Sequence, residues 1–136
     1  MTEKELIFFM PYIGFGGVEK NLYLISNFLS KRIKKTILFE DIWSVSYKKG
    51  DYHTPHDHGT VGLAGILYLN MPKDGAVTQY LQPWNDWISD RTIYYPLPVK
   101  EGDIVITPKF VRHFTEPHKS KKIKRIISWD MTLQNA

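Results

Sequence analysis

Apolar and polar positions change rhythm near residue 42. Before it, residues 5–10 form a mostly apolar run stopped by Pro11, which predicts a short buried strand. Gly14-Phe15-Gly16-Gly17 reads as a turn. Val18, Leu22, Ile25 and Leu29 then recur at helical spacing and are followed by Lys31, Arg32, Lys34 and Lys35. That pattern predicts an amphipathic helix with its positive charge near the C-terminal end, where the helix dipole favours it. Residues 36–39 read as a second strand. Beyond residue 42 the pattern is one of short strands: 43–47, which alternates; 64–70, an apolar run ended by Pro72; 76–81; 93–99; 104–107; and 123–133. Pro96 and Pro98 confine the segment 93–99 to a sheet edge. Short strands parted by turns, with no helix among them, predict a β-sandwich or barrel over 42–136 and an α/β extension over 1–41. The aromatic stretch 83–91 is expected to be a loop or lid.

Composition narrows the chemistry. The 136 residues suffice for about one domain with a real core, and 43% hydrophobic with 24% charged residues is ordinary for a globular chain. There is no cysteine, so thiolate ligands, disulfides and thiol nucleophiles are excluded, and any metal must be held by nitrogen and oxygen. The net charge of +4 is concentrated in residues 31–35 and 119–125. Both runs read as solvated lysine-rich surface, and the second as protection of a strand edge. No helix-turn-helix, zinc-finger or aromatic RNA-binding signature accompanies them, so no nucleic-acid partner is expected. Neither a membrane span nor a secretory signal is seen, and the expected location is cytoplasmic.

The stretch 50–58, Gly-Asp-Tyr-His-Thr-Pro-His-Asp-His, holds three of the five histidines. On a strand, residues i and i+2 share a face, so His56 and His58 should project together while Asp57 points away. Two imidazoles so placed begin a first-row metal site, and His113 is the best candidate for a third ligand. Imidazole sites accept iron, zinc, nickel, copper or manganese, so the residues alone leave the metal open. His53, three residues before His56, is expected to orient a ligand or substrate, and His118, in a charged turn, to be plain surface. The glycine turn at 14–17 is not read as a phosphate cradle. The third glycine of the dinucleotide pattern is Glu19 here, and the P-loop Lys-Ser/Thr pair is missing.

Three resemblances sharpen this reading. The strand and the Gly16-Gly17-Val18-Glu19-Lys20 helix start resemble the N-terminus of family-four-type glycosyltransferases over roughly residues 1–40, without the nucleotide-sugar domain. Gly50 with His56-x-His58, and Gly102 with Pro108 and His113, resemble the two cupin motifs, although the cupin glutamate is missing and Phe110 replaces a glycine. The widest resemblance runs from Trp43 to Asp130. It takes in Trp43-Ser44-Val45-x-Tyr47-x-x-Gly50-Asp51-Tyr52-His53-x-Pro55-His56-x-His58, then Ala64-Gly65-Ile66-Leu67-Tyr68-Leu69, Glu101-Gly102-Asp103-Ile104-Val105-Ile106-x-Pro108, His113 and Arg125-Ile126-Ile127-Ser128-Trp129. These segments resemble the 2-oxoglutarate/Fe(II) oxygenases.

That resemblance implies a mainly β, double-stranded β-helix (cupin-like jelly roll) and an oxidoreductase, a dioxygenase hydroxylating a small molecule with Fe(II) and 2-oxoglutarate. It implies His56 and His113 as iron ligands, with His58 where better-known members carry an acid. Arg125 and Tyr68 would bind the co-substrate, and His53, Asp57 and Trp129 would stand around the metal or the substrate. Ile127 stands where the family has a serine. The alternatives are a cupin-type dioxygenase, isomerase or sugar-binding module without 2-oxoglutarate, and a metal-free β-barrel interaction domain. Fold analogy leaves room for a homodimer through the N-terminal segment.

Overall fold

The computed structural model describes residues 36–82 and 88–134, together with Asn27 and Lys31, which are helical. The rest of the N-terminal strand–helix expectation and most of the expected lid lie outside the described residues. Eight strands follow: β1 (Thr36–Tyr47), β2 (His53–His56), β3 (Leu63–Asn70), β4 (Thr78–Leu81), β5 (Tyr94–Pro96), β6 (Ile104–Pro108), β7 (His113–Thr115) and β8 (Lys124–Gln134). They form two antiparallel four-stranded sheets, β1-β8-β3-β6 and β2-β7-β4-β5. Every connection except β4–β5 carries the chain from one sheet to the other. That winding is the double-stranded β-helix, and β5 with its Pro96 takes the expected edge.

The strands expected at 36–39 and 43–47 are one strand. The polar pair Glu40-Asp41 looks like a break in the sequence, but a bulge between Phe39 and Asp41 absorbs the extra residue and β1 continues along β8. Glu40 pairs with the Lys109 ammonium and accepts a hydrogen bond from Thr132, and these contacts hold its carboxyl below the ordinary range. The boundary expected between residues 41 and 42 therefore falls inside β1.

Each face of the large sheet carries a buried cluster, while Ile42, Ser44, Ser46 and Arg125 stay exposed along one side. One face packs Ile37, Phe39, Leu67, Trp129 and Met131; the other packs Tyr47, Ile66, Tyr68 and Ile126 towards the small sheet. Double burial explains why the β3 run Ala64–Tyr68 is apolar at every position rather than alternating. Gly65 is required here: a Cβ would lie 2.2 Å from the Trp129 ring.

Two turns of one design set the register of the site. In Lys48-Lys49-Gly50-Asp51 and Lys100-Glu101-Gly102-Asp103, the aspartate N–H donates to the lysine carbonyl, at 3.0 and 3.1 Å. Each aspartate carboxylate accepts in return from that lysine's N–H, at 2.8 and 2.9 Å. Gly50 and Gly102 sit at φ 94° and 89°, a region costly for any residue with a Cβ. The cupin-like glycines are thus turn residues that launch the β2 and β6–β7 segments.

Candidate metal centre

β2 and β7 pair so that His56 lies directly opposite His113, with ring centroids 4.5 Å apart. β2 ends at His56, and His58 is held just beyond it by its N–H donating to the Lys109 carbonyl at 3.0 Å. His58 stacks on His113 at 5.1 Å and lies 5.3 Å from His56. One nitrogen from each of the three rings falls within a common span of 4.8 Å. A filled site draws such nitrogens to roughly 3–4 Å of one another, given metal–nitrogen bonds near 2.1 Å. Asp57, just past the end of β2, is turned to other partners. Its Oδ1 accepts from the Gly59 N–H at 3.2 Å and its Oδ2 lies 3.5 Å from Arg112 Nε.

The second ring nitrogens explain why the site suits a metal. His56 Nδ1 lies 2.8 Å from the Thr54 carbonyl oxygen and His113 Nδ1 3.1 Å from that of Val111. His58 Nδ1 lies 2.9 Å from Asp130 Oδ1. Each acceptor asks for a proton on Nδ1, which leaves every Nε2 lone pair free for an ion. Burial, reinforced by the neighbouring histidines and opposed by the Val111 carbonyl, holds His113 down at about 4, so its ring is neutral near pH 7. His53 is depressed for the same reasons. Its ring lies 4.2 Å from His56 and its Nδ1 3.5 Å from the Tyr47 hydroxyl, so it borders the ligands without joining them.

The four histidines open onto a cavity floored by Trp43, Val45, Tyr47, Ile66, Ile126 and Ser128. Deeper between the sheets, Tyr68 is fully buried and donates to Thr78 Oγ1 at 2.9 Å. Beside it, the fully buried Lys124 places Nζ 4.6 Å from the Tyr47 ring centroid and 5.6 Å from that of Tyr68. Its ammonium donates to the Ala76 carbonyl at 2.8 Å, and burial pushes its pKa down to about 8. Among the described residues, no carboxylate pairs with it.

Two expected positions are displaced by one residue of strand parity. Arg125 is exposed, one step along β8 from the inward-facing Lys124, and so lies on the far side of the sheet from the histidines. Trp129 packs into the cluster on that same far face rather than beside the metal site. His118 is not surface: it is 1% exposed, its Nδ1 accepts from the Ala76 N–H at 3.3 Å and its Nε2–H donates to the Lys122 carbonyl at 2.8 Å. It clamps loops and takes no part in the site. Sequence reasoning missed Lys124 and Asp130. The signal for both was available as a lone basic and a lone acidic residue on one parity of β8, together with Ile126 and Ser128.

A family model described as "Putative 2OG-Fe(II) oxygenase" matches residues 41–130. The chain belongs to this family, whose cofactors are Fe(II) and 2-oxoglutarate. Among solved structures, the chain is similar to an oxidoreductase of the 2OG-Fe(II) oxygenase family from Burkholderia pseudomallei. That match has a TM-score of 0.66 at 11% identity and covers 88% of this chain and 60% of that one. It is also similar to SnoK, a non-heme alpha-ketoglutarate-dependent carbocyclase from nogalamycin biosynthesis (TM-score 0.65, 13% identity, 86% and 61% covered). A third is HygX from Streptomyces hygroscopicus with iron bound (TM-score 0.59, 10% identity, 86% and 68% covered). The chain thus spans about three fifths of the length of the first two. No curated protein matches it in sequence. The family match begins at residue 41 and lends no support to the glycosyltransferase likeness of residues 1–40. Among the described residues, no helix is long and apolar enough to cross a membrane.

Proposed function

We propose that this chain is the double-stranded β-helix core of an Fe(II)/2-oxoglutarate-dependent oxygenase that hydroxylates a small molecule. The observation that carries the reading is the pairing of two features in one barrel. Three imidazoles converge with their Nε2 atoms free, and a buried ammonium with no carboxylate partner among the described residues lies deeper between the same two sheets. His56, His58 and His113 would hold the iron, which when bound supplies the redox chemistry of O₂ activation. The ion's remaining positions would be open to co-substrate and O₂.

Lys124 takes the role expected of Arg125: its ammonium would hold the distal carboxylate of 2-oxoglutarate, with Tyr68 beside it. A buried cation is costly unless paired, so a carboxylate entering this space relieves a cost that the free protein bears. Tyr47, Trp43 and Ile66 exclude water from the reacting end, and His53 would orient ligand or substrate at the rim. The native location is proposed to be the cytoplasm.

Adding 2-oxoglutarate to the anaerobic Fe(II) protein should produce a visible metal-to-ligand charge-transfer band, and admitting air should yield succinate. Lys124→Met should keep the iron and lose the band at moderate 2-oxoglutarate, whereas Arg125→Ala should keep both. A wild-type protein that binds iron but shows neither band nor succinate would move the reading to a cupin-type activity without 2-oxoglutarate.

A further inference from the structure

Among the described residues, the metal shell offers three imidazoles and no carboxylate, so the charge of a divalent ion would not be compensated by an acidic ligand. Among the described residues, only one of the three rings has an anion behind it. His56 and His113 lean on the backbone carbonyls of Thr54 and Val111, whereas His58 Nδ1 lies 2.9 Å from Asp130 Oδ1. Asp130 sits on the inward parity of β8, opposite Asp41 on β1 and Ala64 on β3. Its Oδ1 is shut off from solvent and makes no well-aligned hydrogen bond among the described residues, and His58 Nδ1 lies 2.9 Å away. The ring also stacks on Trp43 at 5.5 Å with an 18° tilt, so His58 is held by an indole against its plane and a carboxylate at its Nδ1.

We propose that Asp130 is the carboxylate of this metal centre at one remove: a positioning residue that fixes the proton on His58 Nδ1 and passes negative charge to the metal through that ring. The inference rests on the metal-site reading. A carboxylate accepting from a ligand imidazole raises the ring's basicity, and its loss typically weakens metal binding about 10–100-fold. His58 thereby becomes the most anionic of the three ligands, at the position where better-known relatives carry an acid. A carboxylate placed directly on the ion would do the same work across a shorter distance. Here the imidazole is interposed, and the Asp130 pocket is already built around it.

The test uses the full chain with ¹⁵N-labelled histidine, loaded with Zn(II) as a diamagnetic probe, and Co(II) affinity measured by chelator competition. Asp130→Asn preserves shape and can still accept a hydrogen bond but removes the charge. It should shift the Nδ1–H resonance of His58 upfield, leave those of His56 and His113 in place, and weaken Co(II) binding about tenfold. Asp130→Ala should weaken it further, towards about a hundredfold. If Asp130→Asn leaves the His58 resonance and the affinity unchanged, or moves all three ring resonances together, the proposal is overturned while the metal site stands. A wild-type chain that binds neither Zn(II) nor Co(II) would overturn the metal reading, and the role of Asp130 with it.

Discussion

The two faces of β8 obey opposite rules. On one, Ile127, Trp129, Met131 and Leu133 add to an apolar cluster shared with β1, β3 and β6. On the other, Lys124, Ser128 and Asp130 put a cation, a hydroxyl and a carboxylate between the two sheets, with Ile126 the one apolar residue among them. Each face buries a large side chain completely, Trp129 on one and Lys124 on the other. Burying an indole stabilises a fold, whereas burying an ammonium costs it. The difference indicates which face the sheet uses to hold itself together and which face it uses to hold something else.

Substitutions on the two faces should therefore fail differently, and the largest stability effect is expected on the apolar one. Trp129→Ala removes a fully buried ring and should cost about 3–5 kcal/mol in denaturant unfolding. Gly65→Ala drives a methyl into that ring and should cost about 1–3 kcal/mol through overpacking. A Trp129 variant that lost metal affinity while keeping its stability would erase the contrast between the faces. On β7, in the sheet that the polar face looks onto, His113→Ala should remove most metal binding, measured by Co(II) titration. Its thermal midpoint should fall less than that of Trp129→Ala.

How much of this could be read from the chain follows from the same contrast. The strand pattern, the glycine turns and the histidine constellation were legible because each leaves a local mark: alternation, a Gly-Asp pair, an i/i+2 spacing. The strand that carries His113 was not, since the three residues of β7 are too few to show a period. Parity on β8 was misread because residues 127–133 alternate as Ile-Ser-Trp-Asp-Met-Thr-Leu, which reads as an apolar side turned inward and a polar side turned to water, whereas the fold turns the polar side towards the small sheet. That is why Arg125 was read where Lys124 stands, and why Trp129 was expected at the metal. The single strand Thr36–Tyr47 looked like two because a bulge, not a turn, accommodates Glu40. His118 sits in a run of lysines that reads as surface, and only the fold shows that loops close over it.

The mildest expected effect is also the most diagnostic, because its sign reverses with the ligand. Lys124 has its pKa depressed to about 8 by burial, below its ordinary value of 10.5. The unfolded chain therefore binds more protons than the folded one between those values, so the free protein should gain stability as pH rises from about 8 to 10.5 and lose that gain as pH falls back through 8. Lys124→Met should abolish this slope and, by removing a buried cation that has no carboxylate partner among the described residues, leave the free protein at least as stable near pH 7. With 2-oxoglutarate the direction turns round. A carboxylate binds the charged ammonium, so affinity should be greatest below about pH 8 and weaken above it as Lys124 loses its proton. Isothermal titration of the Zn(II)-loaded protein across that range is the measurement. Affinity that is level from pH 7 to 9.5 in wild type, or that falls equally in Lys124→Met, would mean that the inward cation is not the co-substrate's partner.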